Sequence, residues 1–417
     1  MSDLENSALT PSTHIAVVGG GLVGALTALL IARARPDLTL TVIEPQLGGP
    51  ARDPRSIALA AGTVELLQEL GIWSELAAEA CAIEHIHVSD RGFAGMTRLH
   101  AAQEGVAALG QVIAAARLNQ ALYQACQAHA QISWQGGVAV TALQLQPAQV
   151  VLQLAAAEDL AKPAEALAAQ LVLAADGNHS TVRDLLGIAL HTTDYAQQGI
   201  IARLELAQSL QGWAFERFTE TGPLALLPLP ADSTQPGRHF ASLVWSLAPA
   251  DAEAMLAAPE EVFLTQLQQA FGYRAGTFVG IENRIAYPLQ LRLAEQSTHH
   301  RVILLGNASH ALHPIAGQGF NLGVRDAMSI AECLRTDSAT EANGSAEDAG
   351  RYALIRQYWQ TREADYAHTI GLTQWLVHGF SNRHPLLVAP RNLALLALEK
   401  IDGARHAFAK RAMGKSV

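Results

Sequence analysis

Short apolar runs ending in polar or glycine-rich turns alternate along this chain with longer stretches whose apolar residues recur every three to four positions. That alternation predicts a mixed α/β protein. The first run, Ile15-Ala16-Val17-Val18, reads as a buried strand that enters Gly19-Gly20-Gly21 at the opening of a helix. A second run, Leu38 to Ile43, then delivers Glu44, which completes a parallel strand-helix-strand unit. A helix is expected from about Ala60 to Leu70, a strand pair over residues 84–99 turning at Arg91-Gly92, and a helix from about Ala115 to Ala130. Strands follow near Val138–Leu145 and Val150–Leu154. The continuous apolar runs Leu171–Ala175 and Arg301–Leu305 read as strands buried on both faces. From about Gly199 to Leu247 the pattern becomes β-rich and aromatic, with Trp213, Phe215, Phe218, Phe240 and Trp245, and marks a second domain. A helix is expected from near Asn321, an exposed loop over 336–350, and helix throughout from about Arg351. The division that follows assigns 1–75, 111–190 and 291–335 to one discontinuous domain. It assigns 76–110 and 191–290 to a second, and 336–417 to a C-terminal helical region.

The first turn carries chemistry, because Gly19, Gly21 and Gly24 form G-x-G-x-x-G between strand and helix. Gly19 permits the tight turn, Gly21 lets backbone approach a pyrophosphate, Gly24 lets helix and strand pack closely, and the helix N-terminus presents free N–H groups. Glu44, about 20 residues past the last glycine, suits ribose hydroxyls and favours FAD or NAD over NADP. A second polar segment, Asp176-Gly177-Asn178-His179-Ser180-Thr181-Val182-Arg183, follows a buried strand at the carboxyl edge of a parallel sheet, where ligands bind. Asp176 also suits a helix cap there, with Arg183 a solvated charge. The third segment runs from Gly306-Asn307 through His310, His313, Pro314, Gly317, Gly319, Asn321 and Gly323 to Asp326. Its Pro/Gly-rich loop brings bare backbone to a flat ligand, and the following helix N-terminus stabilises negative charge on it.

Composition narrows the class. Of 417 residues, 50% are hydrophobic and 16% charged, enough apolar material for a large core. A net charge of −10 argues against nucleic acid as a partner. Cys81, Cys126 and Cys333 lie far apart without metal-ligand spacing, so no metal site and a reducing, cytoplasmic setting are expected. Neither a signal peptide nor a run of about 18 apolar residues is evident. Residues 384–417 carry Arg391, Lys400, Arg405, Lys410, Arg411 and Lys415 against Glu399 and Asp402, among several leucines. Such a helix suits peripheral contact with anionic lipid, a docked partner, or packing on the body with a solvated basic face.

The three polar segments, in this order, resemble the class A flavoprotein aromatic hydroxylases built like para-hydroxybenzoate hydroxylase. Arg55-Ser56-Ile57-Ala58-Leu59, His87-Val88-Ser89-Asp90-Arg91-Gly92, His313 to Asp326, and Phe215-Glu216-Arg217-Phe218-Thr219 with Gly222 to Pro228 resemble the ubiquinone-biosynthesis hydroxylases, most closely those acting on a 2-polyprenyl-6-methoxyphenol. The resemblance implies a Rossmann-like FAD domain with an inserted β-sheet substrate domain and C-terminal helices. It implies FAD as cofactor, NAD(P)H as co-substrate, dioxygen, a polyprenyl phenol substrate and hydroxylation through a C4a-hydroperoxyflavin. Other ubiquinone-biosynthesis proteins and the inner-membrane surface are implied partners. Cofactor contacts are implied from Gly19, Gly21, Gly24, Glu44, Arg55, Gln111, Arg117, Asp176, Gly177, Asn307, Gly319, Asn321, Leu322 and Gly323, with Arg55, Pro314, Gly317 and Gly319 beside the reacting atoms. One departure is Asn307, where the family usually has aspartate; the amide still accepts a hydrogen bond but brings no charge. Sister hydroxylases acting at another ring position share these motifs. A nicotinamide dehydrogenase would leave the two later segments unexplained, and a flavin-binding scaffold would lack turnover. The G-W-x-W-x-I-P element of flavin halogenases is absent, since Gly212-Trp213 continues as Ala214-Phe215.

Overall fold

The computed structural model describes residues 12–50, 53–160, 163–232, 234–338, 348–380 and 385–415. The fully apolar runs become the centre of one sheet, because only a strand covered on both faces can bury every side chain. Strand β1 (Thr13–Val18) pairs in parallel with β2 (Leu40–Glu44) and with β3 (Pro163–Ala174), and β3 pairs in parallel with β4 (Val302–Leu304). All four therefore release their chain at the same edge. Helix α1 (Leu22–Ala34) leads back from that edge, and its buried Ala25, Leu26, Leu29 and Ile31 join the main core. The run predicted at 171–175 proves to be the end of a longer strand. The earlier part of β3 pairs antiparallel with Val150–Ala156, and its Ala-rich sequence carries too little periodicity to announce a strand.

A second sheet is built around the long antiparallel pair Leu190–Leu206 and Phe278–Ala294. It continues through His239–Leu247, Gly222–Pro228 and Trp213–Thr219 to the hairpin His85–Asp90 and Met96–His100 at its edge. A small three-stranded sheet joins the two bodies: Gly110–Ala114 lies between Ser56–Ala60 and Cys81–Ile83. Residues 81–83, within the stretch 76–110 that the sequence division assigns to the second domain, pair with this small sheet.

Helix α2 (Gln318–Ser338) begins three residues before the expected Asn321, because the turn at Ile315–Gly317 feeds it directly. It also runs three residues into the segment expected as a loop, of which 339–347 lie outside the described residues. The C-terminal region forms α3 (Tyr352–Phe380), α4 (Pro385–Lys400) and α5 (Asp402–Ala412). Packing on the body accounts for Arg391 and Lys415 among its basic residues. Arg391 is only 3% exposed and clamps Asp90 with two bonds of 2.8 and 3.1 Å. Arg405 pairs with Asp402 and Lys415 with Glu65. Asn392 and Glu399 accept backbone N–H groups of Gly95 and Arg98, and so cover the exposed edge of the hairpin. Among the described residues, no helix is long and apolar enough to cross a membrane.

Candidate active site

At the carboxyl edge of the first sheet, the glycine turn is held by backbone crowding. A Cβ at Gly24 would lie 1.9 Å from the Gly19 carbonyl oxygen, and Gly19 itself has φ +96° against the backbone of Ala175. Both positions therefore require glycine. Gly21 has open space beyond it and lines a cavity. Glu44 accepts the N–H of Gly20 at 2.8 Å through one carboxylate oxygen and that of Gln46 at 3.0 Å through the other. Each oxygen keeps a further lone pair, and the residue lines the same cavity.

Asp176 and Ser180 share the capping of the short helix Thr181–Leu185. Asp176 Oδ2 accepts from Val182 N at 3.1 Å, and Ser180 accepts from Arg183 N. Asp176 Oδ1 is buried without a hydrogen-bond partner, and burial pushes this carboxyl above its usual range. Such an orphaned acceptor at a ligand edge calls for a donor from a ligand. Arg183 is not a solvated charge. It is 3% exposed and donates to the carbonyls of Ala308 at 3.2 Å and Asn178 at 3.3 Å, tying the second segment to the third.

The third segment is locked from behind by Asp326, to which no role was assigned from sequence. This fully buried carboxylate on α2 accepts from Gly306 N (3.0 Å), His310 Nε2 (2.8 Å), Arg362 Nε (2.9 Å) and Tyr366 OH (2.9 Å). Burial alone would raise its pKa. The neighbouring His310 and Arg362, together with the Gly306 N–H, outweigh burial and hold it below the usual range. The available signal was one acid among the apolar positions Val324, Ala327 and Ile330. His310 is thereby a buried structural partner of Asp326. His313 is buried too, accepts Ile315 N through Nδ1 at 3.2 Å, and is pushed by burial down to about 4, so its imidazole is neutral near pH 7.

Asn321 is spent on the scaffold. Its amide oxygen accepts from Ala60 N and Thr63 Oγ1, and its nitrogen donates to the carbonyls of Ala58 and Gly317, which fixes the loop against the small sheet. Gly323 faces Val23 of α1, Leu322 is fully buried, and Gly24 packs on the glycine turn, so these three shape the cradle from outside the cavity. Gln111 lies in the small sheet between Leu59 and Ala82, and Arg117 pairs with Glu79 at 2.7 Å; neither lines the cavity. Lining it are Gly19, Gly21, Glu44, Arg55, Asp176, Gly177, Asn307, Pro314, Gly317, Gly319 and Asn321. Arg55 pairs with Asp53 at 2.6 Å, and hydrogen bonding to that acid raises its pKa above its ordinary value.

The cavity measures ≈ 3010 Å³ and continues past the cradle. Its far arm runs between the second sheet and the C-terminal helices, lined by Leu99, Leu227, Leu376, Leu398 and Phe408. Pockets for single small ligands span about 300–1,000 Å³. This one has room for a dinucleotide and a second, apolar ligand. Trp245 belongs to the sheet core, whereas Phe215 and Phe218 also contribute faces to the cavity. The glycine turn without room for Cβ, the partnerless Asp176 oxygen and the open backbone at Gly21 and Gly319 fit FAD.

Residues 12–364 match the FAD binding domain family. The chain is 32% identical over 408 residues to the ubiquinone hydroxylase UbiL of Rhodospirillum rubrum, covering 96% of this chain and 89% of that one. It is 30% identical to the 3-demethoxyubiquinol 3-hydroxylase of Escherichia coli, over 96% of this chain and 98% of the relative. Among solved structures, p-nitrophenol 4-monooxygenase PnpA of Pseudomonas putida superposes with a TM-score of 0.77 at 19% identity, over 97% of this chain and 99% of that one. The architecture is thus the para-hydroxybenzoate hydroxylase fold with C-terminal helices, and FAD is its cofactor. By its sequence and its fold, the chain belongs to the FAD-dependent aromatic hydroxylases of ubiquinone biosynthesis.

Proposed function

We propose that this protein uses NAD(P)H and dioxygen to hydroxylate the ring of a 2-polyprenyl-6-methoxyphenol. The continuity of the cavity, from the glycine cradle to an apolar arm under the C-terminal helices, carries this reading. When FAD is bound, the chemistry it supplies is two-electron reduction by nicotinamide and transfer of one oxygen atom from dioxygen. Gly19, Gly21 and the N-terminus of α1 receive the pyrophosphate, Glu44 the ribose, and Asp176 and Asn307 the polar chain that follows. Gly317 and Gly319 present backbone to the flat ring, and Arg55 borders it. The leucine-lined arm takes the prenyl tail and excludes water from the reacting end.

A second reading has support in the E. coli relative's name, which specifies 3-demethoxyubiquinol and therefore a later ring position. The quinone profile of a deletion strain separates the two. Accumulated 2-polyprenyl-6-methoxyphenol supports the first reading, and accumulated 3-demethoxyubiquinol replaces it with the second. Because the tail resides in lipid, the reading includes a cytoplasmic protein meeting the inner membrane peripherally, which fractionation of the same cells tests.

A further inference from the structure

Tyr287 received no role from the sequence, yet it stands where the second sheet approaches Arg55. Strand Phe278–Ala294 carries it, and the antiparallel register sets it opposite Gly199. A Cβ at Gly199 would lie 3.3 Å from Tyr287 Cζ and 3.5 Å from its hydroxyl oxygen, so the missing side chain gives the ring space to lie across the neighbouring strand. Tyr287 is half-buried and lines the cavity, and among the described residues its hydroxyl has no hydrogen-bond partner.

Arg55 and Asp53 lie close enough for their charges to act on that hydroxyl. Burial pushes it above its ordinary value; Arg55 opposes this and Asp53 adds to it, so near pH 7 it is protonated and can donate. Arg55 spends Nε and one terminal nitrogen on Asp53 and makes no bond to the phenol. Two residues along the strand, and therefore on the same face, Ile285 begins a row continued by Ile201, Val244 and Ala225. All four line the cavity without a polar side chain. Beyond them, Arg203 is held by Asp232 and Glu282. A single hydroxyl donor thus stands between an apolar wall and the Arg55–Asp53 pair. A ring with an oxygen at its edge and hydrocarbon behind it matches that order.

We propose that Tyr287 anchors the substrate ring: its hydroxyl donates a hydrogen bond to the phenol oxygen, while the hydrocarbon part of the substrate lies on Ile285, Ile201 and Val244. The proposal rests on the reading that the substrate is a polyprenyl phenol. Held at its oxygen, the ring cannot turn in its own plane, so one ring carbon is offered for oxygenation. Tyr287 is thereby a determinant of the ring position that is hydroxylated.

The test uses full-length, FAD-loaded protein in its oxidised state. A short-chain 2-prenyl-6-methoxyphenol is compared with 3-prenylanisole, which lacks only the phenol oxygen, and binding is read from the change in flavin absorbance. Wild type should bind the phenol about tenfold more tightly than the anisole. Tyr287→Phe should retain FAD, bind the anisole as wild type does, and bind the phenol no more tightly than the anisole. In turnover it should give a mixture of ring positions where wild type gives one. Gly199→Ala, which pushes the ring aside with its hydroxyl intact, should narrow the same preference. If wild type takes the matching 3-demethoxyubiquinol instead, the proposed ring position fails, and the Tyr287 comparison is read on that quinol and its two monodeoxy analogues. An unchanged preference in Tyr287→Phe, or in Gly199→Ala where Tyr287→Phe does not fold, overturns the proposal. So does a wild type without the preference, or a folded Tyr287→Phe protein that has lost its flavin.

Discussion

The two ends of the cavity are built on different principles. At the cradle, backbone does the recognising: a glycine turn without room for Cβ, N–H groups at a helix start, and carboxylates at strand ends, all within short contiguous segments. In the arm, recognition comes from side chains on strands near residues 86, 99, 216 and 227 and helices near 376, 398 and 408. The cradle should fail abruptly under substitution, because crowded backbone and a buried charge have no way to relax. The arm should fail gradually, since one apolar side chain changes volume and little else.

The largest expected effect tests the lock behind the cradle. Asp326→Ala leaves Arg362, His310, Tyr366 and Gly306 without their shared acceptor, and should cost about 4 kcal/mol. Urea denaturation measures it; a loss below about 1 kcal/mol would show that the network is expendable. Gly24→Ala drives a methyl into the Gly19 carbonyl and should cost about 3 kcal/mol together with bound flavin, read as lower Tm and colourless protein.

The third prediction concerns pH. Burial lowers His313 from 6.5 to about 4, so between those values the unfolded chain binds a proton that the folded chain does not. Stability is complete above pH 6.5 and falls as pH drops, by up to about 3 kcal/mol in all. His87, also lowered to about 4 by burial, adds to the same slope. His313→Gln should therefore flatten roughly half of this combined decline between pH 6.5 and 4. An unchanged slope in denaturation midpoints would rule out a buried neutral His313.

Smaller effects sharpen the contrast at each end. Leu227→Phe shortens the arm and should raise KM about tenfold for a long prenyl chain, leaving a short-chain substrate and flavin content unchanged. Equal sensitivity of both substrates would mean that the tail lies elsewhere. Asp176→Ala removes one acceptor from the cradle and should weaken FAD about tenfold, measured by fluorescence titration. Retention equal to wild type would move the flavin away from this edge.

Much of the cradle was legible because its residues are neighbours in sequence: Gly19, Gly21 and Gly24 span one turn, and Asp176 and Asn307 each follow an apolar strand directly. Arg183 was misjudged as solvated because its partner carbonyl at Ala308 is 125 residues away. The short strand Cys81–Ile83 went unread for the same kind of reason, since pairing partners are not written in a three-residue strand. The basic C-terminal segment suited a lipid surface equally well on paper. Its Arg391 proved to be buried against Asp90, a partner three hundred positions earlier.

By itself, the sequence determined the period of the longer apolar elements, the glycine turn and the acids that end the strands. These follow from local sterics and hydrogen bonding, which act over a few residues. Only the tertiary structure decided that Asp326 gathers four donors, that Asn321 is consumed by the scaffold, and that Gln111 and Arg117 stand away from the cavity. Burial and charge pairing are properties of residues brought together across the chain, and no local pattern encodes which partner arrives.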